Sequence, residues 1–434
     1  MSVSNIRIFF LQPSLPRPPI LPPASCLLPP AFCLLPPAFC LLPPASCLMP
    51  SSHCSMFIQK LTDSLSAWLG YVDRNRWLFP LLLVLITGIH FSTLTISPAY
   101  WQDEMQIIEM GRNLLNEDST FSMNWLMPKQ EPFLFYPFVL TTSIQEWIFQ
   151  ASGFNIGATR LVCIFAALIS SLIMYAFLRS YSVTFGIAAI MSVLFYLDPL
   201  FTQSFKAGRT DAFAFAFILG FIWLCNLHVN ISDIIQRRFA WLSSAVLLAL
   251  SPFVWASIII LYPLVAWIYL KNLLAAYRYR QKKIFHELLL LPVITAVLFI
   301  ILIFVLLGGV DFLGQSSMQR ASGSLGMRDF SGFFISFLDT LRYTPFLFLI
   351  SLCSIFAARL WGLGFTMVFA ILLVWVSGVY VFRSLYLLPY LLILSAMAWQ
   401  HMEHSSSKWC KLSFRIVFVF ALVWAIGISG ILRP

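Results

Sequence analysis

Asp103 and Glu104 stand side by side at the head of SPAYWQDEMQIIEMGRNLL, where Ile107, Ile108, Gly111, Leu114 and Leu115 fall on one stripe at helical spacing. Adjacent carboxylates beside a membrane can do acid–base chemistry. They can also do something plainer, because Asp103 with Gln106 three residues later resembles a capping box, and helix dipoles favour carboxylates at N-termini. Both readings stay open at this point.

Further along, TQSFKAGRTDAFAFAF packs Lys206, Arg209 and Asp211 between two apolar runs. Ionisable groups in such a place are costly unless paired or facing an aqueous cavity, so they are functional candidates by default. A local ion pair of Asp211 with Arg209 or Lys206 that only anchors the turn is the competing reading. Near the end, VYVFRSLYLLPYLLIL places Arg383 at the mouth of an apolar run with Tyr386 and Pro389 beyond it. An Arg–Tyr interfacial anchor has the same appearance. The Gly- and Ser-rich segment GGVDFLGQSSMQRASGSLGMRDFSGFF reads as a polar loop over the same face. His90, mid-span in the first apolar run, reads as a helix-packing hydrogen bonder.

The elements that hold these residues follow from composition. Of 434 residues, 60% are hydrophobic and 10% charged, against about 45–50% and about 25% in soluble domains. Mean hydropathy is +0.87, and apolar runs of about 20 residues recur from Trp77 onward. This excludes a soluble enzyme and predicts an all-α polytopic membrane protein. The net charge of +10 is not a nucleic-acid signature, because Lys and Arg are scattered in ones, twos and threes between apolar runs.

Eleven spans are predicted, near 77–97, 159–178, 184–203, 212–229, 240–251, 253–270, 287–308, 344–358, 361–380, 385–400 and 414–432. With the lead-in carrying Lys60, Arg74 and Arg76 in the cytoplasm, the inner segments hold fifteen basic and five acidic residues, and the outer ones ten and twelve. That asymmetry supports a cytoplasmic N-terminus and an outer C-terminus, in what is read as the plasma (inner) membrane of the cell envelope. The stretch 132–150 is apolar enough to imitate a span, but Gln145, Glu146 and Gln150 suit a helix lying in the interface. Residues 98–158 therefore read as one outer loop with two interfacial helices. The same topology carries Asp103, Glu104, Lys206, Arg209, Asp211 and Arg383 to the outer face.

Residues 1–55 form a separate, Pro-rich leader with no function assigned, ahead of a membrane domain over 56–434. Its near-identical heptapeptides put Cys26, Cys33, Cys40, Cys47 and Cys54 seven residues apart. Two prolines per repeat exclude a spanning helix, and the arrangement is not that of a secretory signal. Met56 is the expected start. The other cysteines, Cys163, Cys225, Cys353 and Cys410, sit singly, so neither a metal site nor a disulfide framework follows.

In order from Trp77 to Tyr390, the chain resembles the GT-C integral-membrane glycosyltransferases, the protein O-mannosyltransferase and aminoarabinose-transferase-like superfamily that uses polyprenyl-phosphate sugars. The resemblance rests on the first span, the outer-loop Asp-Glu, a Pro-started interfacial helix, SGFNIGATRL before the second span, Arg-x-Asp opening the fourth, and a late Arg-x-x-Tyr-x-x-Pro. It implies that Asp103 is the general base with Glu104 beside it, and that Asp211 is the second outer acid of the catalytic set. Lys206, Arg209 and Arg383 would hold the donor phosphate, with Tyr386 nearby. Relatives carry Lys or His before a Pro-Pro pair at the second interfacial helix. This chain departs from that pattern with Lys129-Gln130-Glu131-Pro132-Phe133, which leaves Lys129 a candidate for the role and the acceptor type open. The implied partners are a polyprenyl-phosphate sugar donor in the membrane and a lipid, glycan or protein acceptor. No nucleotide site is needed, and no Gly-rich phosphate loop is present. A divalent metal between Asp103 and Asp211 is compatible with these residues but not demanded by them. A transporter or lipid flippase is the rival reading; it predicts inverted repeats or helices broken at mid-membrane. A non-catalytic membrane subunit on the same scaffold is the second rival.

Overall fold

The computed structural model describes residues 74–94, 139–153, 156–307, 338, 344–357, 360–377, 381–403 and 408–428. The leader, Asp103, Glu104, Lys129 and the whole of the Gly- and Ser-rich segment lie outside the described residues.

What is described is helical, with no strand. Helices α1 (Leu78–Ser92), α2 (Val139–Ser152), α3 (Ile156–Ser180), α4 (Phe185–Leu197), α5 (Pro199–Lys206), α6 (Asp211–Asn230) and α7 (Ile234–Leu250) come first. After two 3₁₀ turns, Ser251–Phe253 and Ala256–Leu261, come α8 (Tyr262–Arg278), α9 (Lys282–Leu307), α10 (Pro345–Ala357) and α11 (Trp361–Ser377). The chain closes with α12 (Val381–Ser384), the 3₁₀ turn Leu385–Leu387, α13 (Leu388–Glu403) and α14 (Lys408–Ile428).

Among the described residues, five helical stretches are long and apolar enough to cross a membrane: Gly157–Ser180, Asp211–Asn230, Ser257–Arg278, Lys282–Leu306 and Phe382–Glu403. The bent pair α4 and α5 makes a sixth if it is one span. The chain is thus an all-α integral membrane protein. Several segments expected to be straight spans are shorter or broken. The one at 184–203 bends by 53° between α4 and α5, where Pro199 cannot donate and Asp198 caps the new helix through Leu200 N and Phe201 N. The expected pair at 240–251 and 253–270 is separated by the 3₁₀ turn Ser251–Phe253, with Pro252 inside it. α10 and α11 are 13 and 17 residues long, under the roughly 20 that cross a bilayer untilted.

The expected interfacial segment 132–150 contains α2, which rests on α3 and on the Ser251–Phe253 turn. It buries Phe149 and leaves Trp147 exposed. α9 exposes Leu289, Leu290, Val293, Val297, Ile300, Ile301, Phe304 and Val305. Such an apolar outer surface is stable only against hydrocarbon. Inside the bundle, hydroxyls join helices that gain little from apolar contact in lipid. Ser170 Oγ donates to Ala212 O at 2.8 Å, and Ser171 Oγ donates to Ser192 O at 2.6 Å. These bonds tie α3 to α6 and to α4.

The two ends of α6 differ in charge chemistry. Its 20 residues span about 30 Å, a membrane thickness. Asp211 stands at one end. At the other, buried His228 lies 3.5 Å from Glu287, which also meets Arg237 at 3.3 Å. Arg238, Arg278, Arg280, Lys282 and Lys283 follow in the neighbouring helix ends.

Candidate functional site

The turn between α5 and α6 is built by one glycine. α5 ends in a Schellman motif, with Arg209 N donating to Ser204 O at 3.1 Å and Gly208 N to Phe205 O at 3.2 Å. Closing it requires Gly208 at φ +68°, a conformation that side chains with a Cβ resist. The reversal leaves Lys206, Arg209 and Asp211 gathered in one buried turn.

Asp211 takes three hydrogen bonds. Its Oδ2 accepts from Ser204 Oγ at 2.6 Å and from Arg209 Nε at 2.8 Å, and its Oδ1 accepts from Tyr386 OH at 2.8 Å. The carboxylate is 0% exposed, so an ion pair that would be weak on a surface is here shielded from solvent. Of the two pairings open to Asp211 from its sequence, Arg209 is the one formed. Lys206 Nζ instead donates to Thr93 Oγ1 at the end of α1, 2.9 Å away.

Arg209 is also flanked by rings: its guanidinium carbon is 4.2 Å from the Phe382 ring centre and 5.3 Å from that of Trp255. Aromatic faces attract a cation. Arg383, half-buried, is the next residue after Phe382. Arg383 thus lies between two anchors, Phe382 against Arg209 before it and Tyr386 bonded to Asp211 after it.

Arg160, not singled out in the sequence, belongs to the same end of the bundle. It is 2% exposed, and its Nη1 donates to Leu94 O at 2.9 Å. The available signal was an arginine in the opening turns of an apolar span, within the quoted SGFNIGATRL. His90 is buried edge-on to Tyr196 and Phe205. Neither of its ring nitrogens has a hydrogen-bond partner among the described residues, so the expectation of a helix-packing hydrogen bond is corrected to packing among aromatic rings.

Two apolar grooves flank this end of the bundle. One, of about 540 Å³, runs between α1, α4 and α14 past Leu82, Ile86, Ile89, Ala189, Val193 and Leu197. Ile89 is one helical turn from Thr93, so this groove leads toward the Lys206 ammonium. The other, of about 450 Å³, lies between α6, α7, α8 and α9 and is lined by Phe221, Leu248, Tyr262, Tyr269, Leu291 and Thr295 among others.

No family model matches the chain, and no curated protein matches it by sequence. Solved structures do. ArnT from Cupriavidus metallidurans bound to undecaprenyl phosphate superposes with a TM-score of 0.56 at 12% identity, covering 81% of this chain and 71% of that one. The apo state of ArnT from the same organism gives 0.54 at 14% identity, with 83% and 71% covered. At that identity the likeness speaks for the fold. This chain is an integral membrane protein with the GT-C-like fold of ArnT.

Proposed function

We propose that this protein transfers a sugar from a polyprenyl-phosphate donor to a lipid, glycan or protein acceptor, at the outer face of an eleven-span inner-membrane topology. The observation that carries the reading is the buried turn holding Lys206 and Arg209, which stands beside the Arg383 segment and at the head of an apolar groove. A donor of this class has those two parts, an anionic phosphate and a hydrocarbon tail. The ArnT fold, with one of its structures bound to undecaprenyl phosphate, supports the same reading.

In this mechanism the tail lies in the groove along α1 and α4, and the phosphate meets Lys206, Arg209 and Arg383. Asp103 takes the proton from the acceptor's hydroxyl or amine as that atom attacks the anomeric carbon. The bond from the anomeric carbon to the phosphate oxygen breaks, and its electron pair leaves with the phosphate. A single displacement inverts the anomeric centre. Preorganised cations in a poorly hydrated site stabilise the departing charge.

The resemblance puts Asp211 among the catalytic acids; its bonds assign it instead to holding Arg209 in place. A carboxylate has about four lone-pair sites, and three are taken by Ser204, Arg209 and Tyr386. Three donors from the turn and from Tyr386 commit this carboxylate to holding the turn together. Its surroundings, one guanidinium and two hydroxyl donors, are not those of a metal ligand either, so no step passes through a metal held by Asp103 and Asp211. Glu104 and Lys129 stay with Asp103 as candidates for the acceptor side.

The test uses purified protein with a labelled polyprenyl-phosphate sugar, comparing the wild type with Asp103→Asn. Transfer or release of sugar that the substitution abolishes supports the assignment. Movement of the lipid between leaflets with no bond broken would favour the flippase instead.

A further inference from the structure

Tyr390 is fully buried, and its hydroxyl accepts a hydrogen bond from Leu264 N at 3.1 Å while donating one to Ile260 O at 2.9 Å. Those two main-chain groups lie four positions apart, and in an uninterrupted α-helix they would bond to each other. The hydroxyl is thus inserted into the ladder where the 3₁₀ turn Ala256–Leu261 meets α8. Pro263 beside it has no N–H and is tolerated in the first turn of a helix, but it leaves the Leu264–Ile260 pair untouched. Tyr390 is what divides that pair.

The division matters at the other end of the turn. Trp255 stands immediately before it, with Ile258 N donating to Trp255 O at 3.3 Å, and its ring centre lies 5.3 Å from the Arg209 guanidinium carbon. A 3₁₀ helix rises about 2.0 Å and turns about 120° per residue, an α-helix about 1.5 Å and about 100°. Rewinding the six residues of the turn as α-helix would draw Trp255 back by about 3 Å and swing it by about a third of a turn, away from Arg209.

We infer that Tyr390 is a positioning residue for the donor phosphate, acting through the 3₁₀ turn to hold Trp255 against Arg209. Tyr386, one helical turn earlier, bonds Asp211 on the same cation, so the segment that carries Arg383 reaches Arg209 twice. The inference rests on the reading of Arg209 as a donor-phosphate group. Tyr390→Phe removes only the hydroxyl. With a labelled polyprenyl-phosphate sugar, donor KM should rise about three- to tenfold while kcat stays within about twofold. Trp255→Leu should raise donor KM by a similar factor, and the two substitutions together by no more than the larger alone, since they break one chain of contacts. Effects that multiply, or a donor KM that Tyr390→Phe leaves unchanged, would overturn the proposal.

A second measurement needs no reaction. Protein carrying 5-fluorotryptophan is followed by fluorine NMR in detergent, the Trp255 signal being the one lost in Trp255→Phe. Tyr390→Phe should move that signal more than any other, and a signal that stays in place would overturn the inference. Pro263→Ala restores the neighbouring N–H and should leave the signal where it is, because Tyr390 still divides the pair; a shift in Pro263→Ala would make the proline the cause and overturn the inference as well. A Trp255 signal that follows Tyr390 in a protein that transfers no sugar would instead remove the glycosyl-transfer reading and leave the positioning of Trp255 standing.

Discussion

Tyr386 donates a hydrogen bond to Asp211 across 2.8 Å, joining residues 175 positions apart in the chain. The bond fastens the 3₁₀ turn before α13 to the first turn of α6, and it occupies the oxygen of Asp211 that faces away from Arg209. The cation is thereby held from two sides, by the carboxylate at one edge and by Phe382 and Trp255 against its face.

Removing the Tyr386 hydroxyl leaves a buried acceptor without its donor. Tyr386→Phe should destabilise the protein by about 1–3 kcal/mol, read as a lower thermal midpoint in detergent. An unchanged midpoint would mean that Asp211 finds another donor there.

Arg209 and Asp211 should behave as a pair. Arg209→Gln leaves a buried charge uncompensated and should cost about 3–5 kcal/mol. Adding Asp211→Asn should return part of that stability while leaving donor binding weak. If the double variant is no more stable than Arg209→Gln, measured by denaturant unfolding, the pair is not what holds the turn.

Gly208 offers a backbone test. Gly208→Val forces a branched residue into φ +68°, a strain of about 1–2 kcal/mol, and it shifts Arg209, which follows directly. Donor KM should rise together with the loss of stability. Retained KM would show that the reversal can form without the glycine.

Asp103→Asn keeps shape and removes the base. Turnover should fall by about 10²–10⁴-fold with the fold intact by circular dichroism. A smaller change, in either direction, would return Asp103 to the capping role that Gln106 suggests.

The groove along α1 and α4 predicts dependence on donor chain length. Ala189→Trp fills its wall, so a long-chain polyprenyl donor should lose about tenfold in KM, since each buried methylene contributes about 0.8 kcal/mol. A donor with a short prenyl chain should be unaffected. Equal effects on both would place the tail elsewhere, with the groove between α6 and α9 the next to test.

Composition and periodicity alone determined that the chain is an α-helical membrane protein, because apolar runs of bilayer length have no other stable solvent. Local chemistry also marked Lys206, Arg209 and Asp211, since charges wedged between apolar helices need a reason. Only the tertiary structure decided what they do to one another. Whether Asp211 pairs with Arg209 or Lys206 depends on the left-handed turn at Gly208, and Tyr386 reaches Asp211 only because the 3₁₀ turn Leu385–Leu387 is brought against the first turns of α6. The bend at Asp198–Pro199 and the turn at Ser251–Phe253 interrupt runs that read as continuous, because hydropathy counts residues and is blind to the backbone donors a proline removes. Arg160 carries no such mark for a related reason: the partner that ties it to α1 is a main-chain carbonyl, and every residue carries one.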